Sequence, residues 1–215
     1  RSHVKSFFVT ARSMRRVDRA WETGGPTPKT LCSSPSGVVD FLLRGEQILF
    51  CGLSKFVSVY NRRSGETRHV GTHKHYVCRL REVTPAVIAA TSYDGTLSVL
   101  GCSGVEGQID VLDVWGGHTS AVLGTRVLST DGLLSYSKDG TVRLWDMDKG
   151  SCSAVFKAHD QSITNVKVLD TNAFASCSRD GSLALWDVRS SKPSMRAEIH
   201  TCDVYGIHLP KRHRN

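Results

Sequence analysis

Between residues 37 and 209 the chain is a succession of short runs in which apolar and polar positions alternate, each broken by Gly, Asp or Ser. Val142 and Leu144 alternate with Thr141, Arg143 and Trp145, the period of two expected of a strand with unlike faces. Within 119–158 the pattern predicts strands near 120–128, 132–138, 141–147 and 151–157. Asp139-Gly140 and Asp180-Gly181 fall between such runs, which predicts type I′ hairpins with positive φ at both turn residues. The run Ala86–Ala90 suits a buried strand, and no stretch approaches the ~18 consecutive apolar residues of a membrane span.

The runs repeat. LLSYSKDGTVRLWD (133–146) and FASCSRDGSLALWD (174–187) align without gaps, their Asp-Gly and Trp-Asp pairs 41 residues apart. His118, His159 and His200 keep that interval, and AATSYDGTLSVL (89–100), led by His73, is a third copy. In each copy the aspartate follows its histidine by 21 residues: His73 to Asp94, His118 to Asp139, His159 to Asp180. A unit of four short strands leaves one apolar face exposed, and repetition buries that face against the next unit.

These marks resemble the WD-repeat β-propeller family: Gly117-His118, Ser135, Asp139-Gly140 and Trp145-Asp146 in one copy, then His159, Ser176, Asp180-Gly181 and Trp186-Asp187 in the next. The resemblance implies an all-β partial propeller with blades at about 37–73, 74–118, 119–159 and 160–200, and a fifth beginning at 201–209 with a strand over Val204–Leu209. It further implies a buried hydrogen-bonded chain in each blade, through His118, Ser135, Asp139 and Trp145, then His159, Ser176, Asp180 and Trp186. Indole donates, hydroxyl relays and carboxylate fixes the imidazole. The same Ser/His/Asp sets imitate a hydrolase triad, but a catalytic site should exist once and beside an oxyanion hole, so the reading is structural and non-enzymatic.

The copy led by His73 has Ala90 where serine is expected and Leu100 where tryptophan is expected. Its relay should be broken, leaving His73 to pair with Asp94, and an insertion at 101–107 lengthens its interval to 45. In the first copy Ser54, Tyr60 and Phe50 stand at the aspartate, tryptophan and serine positions. Seven cysteines, odd in number and without a C-x-x-C pair, argue against a disulfide framework or a zinc site and for a reduced, intracellular setting, cytoplasmic or nuclear. Cys51 and Cys177, each three residues before the aspartate position, read as small apolar strand residues. No cofactor or metal is expected.

The net charge of +8 sits at the ends: residues 1–36 carry +5 and 210–215 carry +3, leaving 18 basic and 18 acidic residues between. A neutral body with basic tails is not a nucleic-acid-binding face. No signal peptide is recognisable, and a chain opening on Arg and stopping before an aspartate due at position 221 reads as a piece of something longer. Within residues 1–36, Phe7, Phe8, Ala11, Met14, Val17 and Trp21 predict an amphipathic helix over Ser6–Trp21, followed by a Gly/Pro linker. Arg15–Trp21 is similar to the segment that joins the F-box to the propeller in F-box/WD-repeat proteins, with Ala20 in place of asparagine.

The resemblance implies a protein-interaction scaffold whose loops, at one face, present the residues just before each turn aspartate and those three after each loop histidine. The first set is Leu53, Tyr93, Lys138 and Arg179; the second is Tyr76, Ala121, Ser162 and Asp203. Lys138, Arg179, Tyr93 and Tyr76 are the candidate partner-binding residues, suited to an acidic or phosphorylated peptide. The F-box similarity implies a substrate receptor of a cullin-RING ubiquitin ligase, its adaptor bound through an upstream module. The alternative is an RNA-associated scaffold whose basic tails touch phosphate.

Overall fold

The computed structural model describes residues 37–71, 73–103, 108–190, 192–200 and 204–207. The helix expected over Ser6–Trp21, the Arg15–Trp21 segment, the rim position Asp203 and both basic ends lie outside the described residues.

Among the described residues sixteen strands form four antiparallel meanders, each sheet in sequential order. The first holds β1 (Val38–Arg44), β2 (Gln47–Gly52), β3 (Val57–Asn61) and β4 (Thr67–Val70). The second holds β5 (Val77–Thr84), β6 (Val87–Ser92), β7 (Thr96–Ser103) and β8 (Gln108–Gly116). The third holds β9 (Val122–Val127), β10 (Gly132–Ser137), β11 (Thr141–Asp146) and β12 (Ser151–Lys157). The fourth holds β13 (Ile163–Val168), β14 (Ala173–Ser178), β15 (Ser182–Asp187) and β16 (Met195–Glu198). The first strands β1, β5, β9 and β13 lie side by side, so the sheets radiate from them as blades from an axis. No helix among the described residues is long and apolar enough to cross a membrane.

Both faces of the inner blades are apolar, and each junction is a separate core. Leu49, Val57 and Val59 of the first blade pack against Leu80, Ile88 and Leu100 of the second. Leu97, Val99 and Trp115 meet Leu133 and Trp145, whose indole stacks on Trp115 at 5.6 Å. Leu134, Tyr136 and Phe156 meet Val166, Phe174 and Trp186 of the fourth blade. Burying such side chains contributes roughly 1.5–3 kcal/mol each, which no single blade achieves alone.

Two expectations need correction. The Asp-Gly hairpins are not type I′, because among the described residues none other than glycine has positive φ. Gly140 lies at φ +78° and Gly181 at +82°, each after a turn closed by a bond from its N–H to the carbonyl of Ser137 or Ser178. The loops are three residues long, type I with a left-handed glycine. Negative φ at the aspartate aims its carboxylate back at the residue two ahead, where it accepts that N–H. The strand expected over Val204–Leu209 does not form in its described part, 204–207. Val204 is tied by its N–H to the Ser178 carbonyl and by its own carbonyl to the Thr164 hydroxyl, with no ladder among the described residues.

Candidate functional site

Each of the last three blades carries a buried polar chain between its opening loop and its β-hairpin turn. In the third blade, Trp145 Nε1 donates to Ser135 Oγ at 2.8 Å. That hydroxyl lies 2.7 Å from His118 Nε2, and His118 Nδ1 lies 2.8 Å from Asp139 Oδ2. Since an indole only donates, the serine hands its proton to Nε2, which assigns the proton of the neutral imidazole to Nδ1, facing the carboxylate. In the fourth blade Trp186 donates to Ser176 Oγ at 2.8 Å, and Ser176 reaches His159 Nε2 at 2.7 Å. There the Ser182 hydroxyl intervenes, 2.8 Å from His159 Nδ1 and donating to Asp180 Oδ1 at 2.6 Å, while the direct His159–Asp180 distance is 3.5 Å.

The second blade departs from the expectation of a broken relay. His73 Nε2 is satisfied by Ser98 Oγ at 2.9 Å, and Ser98 stands directly opposite Ala90 in the β6–β7 ladder. The missing hydroxyl has crossed to the adjacent strand on the same face. His73 Nδ1 meets Thr96 Oγ1 at 2.9 Å, Thr96 donates to Asp94 Oδ1 at 2.5 Å, and the direct His73–Asp94 distance is 3.5 Å. The Thr or Ser after each Asp-Gly (Thr96, Thr141, Ser182) and the buried Ser two residues before each aspartate (Ser92, Ser137, Ser178) therefore belong to the site, and sequence reasoning missed them. The signal was visible as Ser-x-Asp-Gly-Ser/Thr in three copies. Each of these buried serines accepts the aspartate N–H and donates to the opening loop: Ser92 to the His75 and Tyr76 carbonyls, Ser137 to that of Ser120, Ser178 to that of Gln161.

The electrostatics follow from this enclosure. Burial alone would raise the Asp94 carboxyl, but donation by the Thr96 hydroxyl, the Thr96 and Lys74 N–H groups and the charge of His73 bring it down to about 2. Asp180 is likewise lowered to about 2: burial opposes, and Ser182, the Asp160 N–H and His159 prevail. Asp139 is held well below the usual carboxylate range against its own burial by His118 and Thr141. Burial pushes His73 and His159 down, more than the neighbouring carboxylates raise them. A hydrolytic nucleophile needs a free face toward substrate. Ser135 and Ser176 are wholly buried and already engaged by indole and imidazole, so these sets serve to lock loop to sheet. Among the described residues no three His, Cys, Asp or Glu side chains gather to hold a metal ion.

Locked in this way, the loops present a rim. The N–H groups of Tyr93, Lys138 and Arg179 each bond to the carbonyl of the residue three after the loop histidine, Tyr76, Ala121 and Ser162 respectively, at 2.9–3.0 Å. Tyr76 and Tyr93 lie 4.4 Å apart, His75 stacks on Tyr93 at 6.0 Å, and Lys138 of the next blade sets its ammonium 4.7 Å above the Tyr93 ring. Arg179 occupies the same turn position one blade further on and is exposed, as is Leu53 at the corresponding place in the first blade. Ala121 is buried beneath the rim.

A family model, "WD domain, G-beta repeat", matches residues 110–146 and 150–187, the stretches that contain the two complete Trp-Asp copies. Among solved structures the chain is similar to "Crystal structure of WD40 beta propeller domain of Doa1", at 24% identity and a TM-score of 0.63, over 78% of this chain and 56% of that one. No curated protein sequence matches. The first two blades share the architecture without the Trp-Asp pair, Tyr60-Asn61 and Leu100-Gly101 standing in its place. Two stretches of the chain thus match the WD40 repeat, and the chain has a fold similar to that of a WD40 β-propeller.

Proposed function

We propose that the chain is a non-catalytic protein-interaction scaffold whose Tyr76–Tyr93–Lys138–Arg179 rim grips an acidic or phosphorylated segment of a protein partner. The observation that carries the reading is the Lys138 ammonium held over Tyr93, with Tyr76 packed against that ring. A cation pre-positioned by an aromatic face loses little freedom on meeting a carboxylate or phosphate, and Arg179 supplies a planar fork for a second anionic group. WD40 repeats and the propeller fold support the scaffold role. The ubiquitin-ligase reading rests on Arg15–Trp21 and the RNA reading on the basic ends, and both stretches lie outside the described residues.

The test is a binding screen of the folded chain against acidic, phosphorylated and neutral peptide pools. Acidic or phosphorylated peptides should be retained, and Lys138→Glu with Arg179→Glu should abolish retention while far-UV circular dichroism stays unchanged. Equal retention by the folded double variant contradicts the site.

A further inference from the structure

The four innermost strands border a cavity of about 380 Å³ on the blade axis. Its lining includes Asp40 from β1, Arg79 and Arg81 from β5, Thr125 and Arg126 from β9 and Asn165 from β13. Arg79 and Arg81 are two apart on one strand and so share a face. Both are exposed, and neither guanidinium has a hydrogen bond or ion pair among the described residues. Arg126 is pre-positioned: its Nη1 donates to the Thr125 carbonyl at 2.8 Å and its Nη2 to Asn165 Oδ1 at 2.9 Å, with its guanidinium carbon 5.5 Å from the centre of the Tyr136 ring. One of the three arginines is therefore fixed in place, and two hold open donors.

The single carboxylate in the lining, Asp40, already accepts the N–H groups of Phe41 and Leu80, one on each oxygen. The lining thus keeps an excess of two positive charges. The Thr125 hydroxyl at its wall is buried without a hydrogen-bond partner among the described residues. Two uncommitted guanidinium forks lining a concavity suit the tetrahedral oxygens of phosphate, each able to make a bidentate, charge-assisted contact, with the fixed Arg126 adding its charge. The volume is that of a small-molecule site, too confined for a folded partner.

We propose that this axial cavity binds a compact polyanion bearing at least two linked phosphate groups, held by Arg79, Arg81 and Arg126. Its lining shares none of the rim residues Tyr76, Tyr93, Lys138 and Arg179.

The experiment is calorimetric titration of the folded chain with inorganic pyrophosphate and with tripolyphosphate at constant ionic strength, using chloride and orthophosphate as comparators. The expected result is saturable one-to-one binding of the linked phosphates, a matching rise in melting temperature, and weaker binding of orthophosphate. Arg79→Gln with Arg81→Gln should weaken binding by roughly tenfold for each guanidinium removed. Arg196→Gln, on the outer strand β16, should leave it unchanged. If the double glutamine variant fails to fold, Arg79→Lys with Arg81→Lys keeps the charge, removes the forks and should still weaken binding measurably. Undiminished affinity in a folded variant, a melting shift reproduced by chloride, or capture of a phosphopeptide at this cavity without pyrophosphate binding would each overturn the proposal.

Discussion

Replacing Ser98 by alanine isolates the one relay whose hydroxyl stands on an unexpected strand. Ser98 Oγ lies 2.9 Å from His73 Nε2, and both residues are buried. The histidine's other nitrogen is engaged by Thr96, so the imidazole cannot turn to recover the loss. A buried acceptor left without a donor costs about 1–3 kcal/mol. At about 2 kcal/mol, a domain of this size melts roughly 4–8 °C lower. Urea titration followed by tryptophan fluorescence, alongside calorimetry, measures both quantities. The reasoning also specifies a rescue: Ala90→Ser returns the hydroxyl to the place held by Ser135 and Ser176 in later blades, directly across the ladder from position 98. In the Ser98→Ala background it should recover about half of the loss or more. In the wild type it should destabilise, since the added hydroxyl is buried where Nε2 is already satisfied. A coupling of about 1 kcal/mol between the two sites is expected from residues sharing one acceptor. Ser98→Ala within about 0.5 kcal/mol of wild type, or an Ala90→Ser effect equal in both backgrounds, would refute the crossed relay.

Other outcomes follow from the same geometry. Gly140→Ala should cost about 2 kcal/mol or more in urea titration, because the residue sits at φ +78° and a Cβ would come 2.7 Å from the His159 carbonyl oxygen of the next blade. Trp145→Phe removes the only donor to Ser135 among the described residues and half of the stack on Trp115; a loss of about 1–3 kcal/mol and a weakened near-ultraviolet dichroism band are expected. Stability should decline in two stages on acidification. His73 and His159 have folded-state values below the unfolded 6.5, so protons favour the unfolded chain once the pH drops beneath 6.5. Asp94 and Asp180, lowered from 3.8 to about 2, add a second loss as the pH falls from about 5 toward 2. Melting temperature measured from pH 8 to pH 2 checks both stages, and a flat profile between 6.5 and 5 would speak against neutral buried histidines.

The repeat was legible because a fixed interval survives in the loop histidines and turn aspartates even where strands vary. The four strands expected within 119–158 fall within two residues of β9 to β12. The second blade shows where phase fails: alignment asks whether serine stands at position 90, whereas geometry asks only that some hydroxyl on that face reach His73. Position 98 meets that demand through the ladder, a relation across strands that a linear register does not display. The turn type failed for a related reason. Asp-Gly favours a type I′ hairpin when the aspartate is idle, but Asp139 is committed to the Thr141 N–H and hydroxyl and to His118, which holds its φ negative. At the rim, equivalence between blades identified Tyr93 and Lys138 separately; their stacking depends on how adjacent blades are turned toward each other. His75, which extends that cluster, carried no repeat signal at all.

The central claim is that the histidines are struts, carrying a proton on Nδ1 toward the turn carboxylate or its Thr or Ser hydroxyl and accepting a serine hydroxyl on Nε2. Two-bond nitrogen–proton spectra of the imidazoles, recorded from pH 8 to pH 5 on uniformly labelled protein, test it directly. The account predicts the Nδ1–H tautomer at His73, His118 and His159, with Nδ1 protons exchanging slowly with water and with His73 and His159 still neutral below pH 6.5. Rapidly exchanging imidazoles, or the Nε2–H tautomer at these three positions, would contradict it.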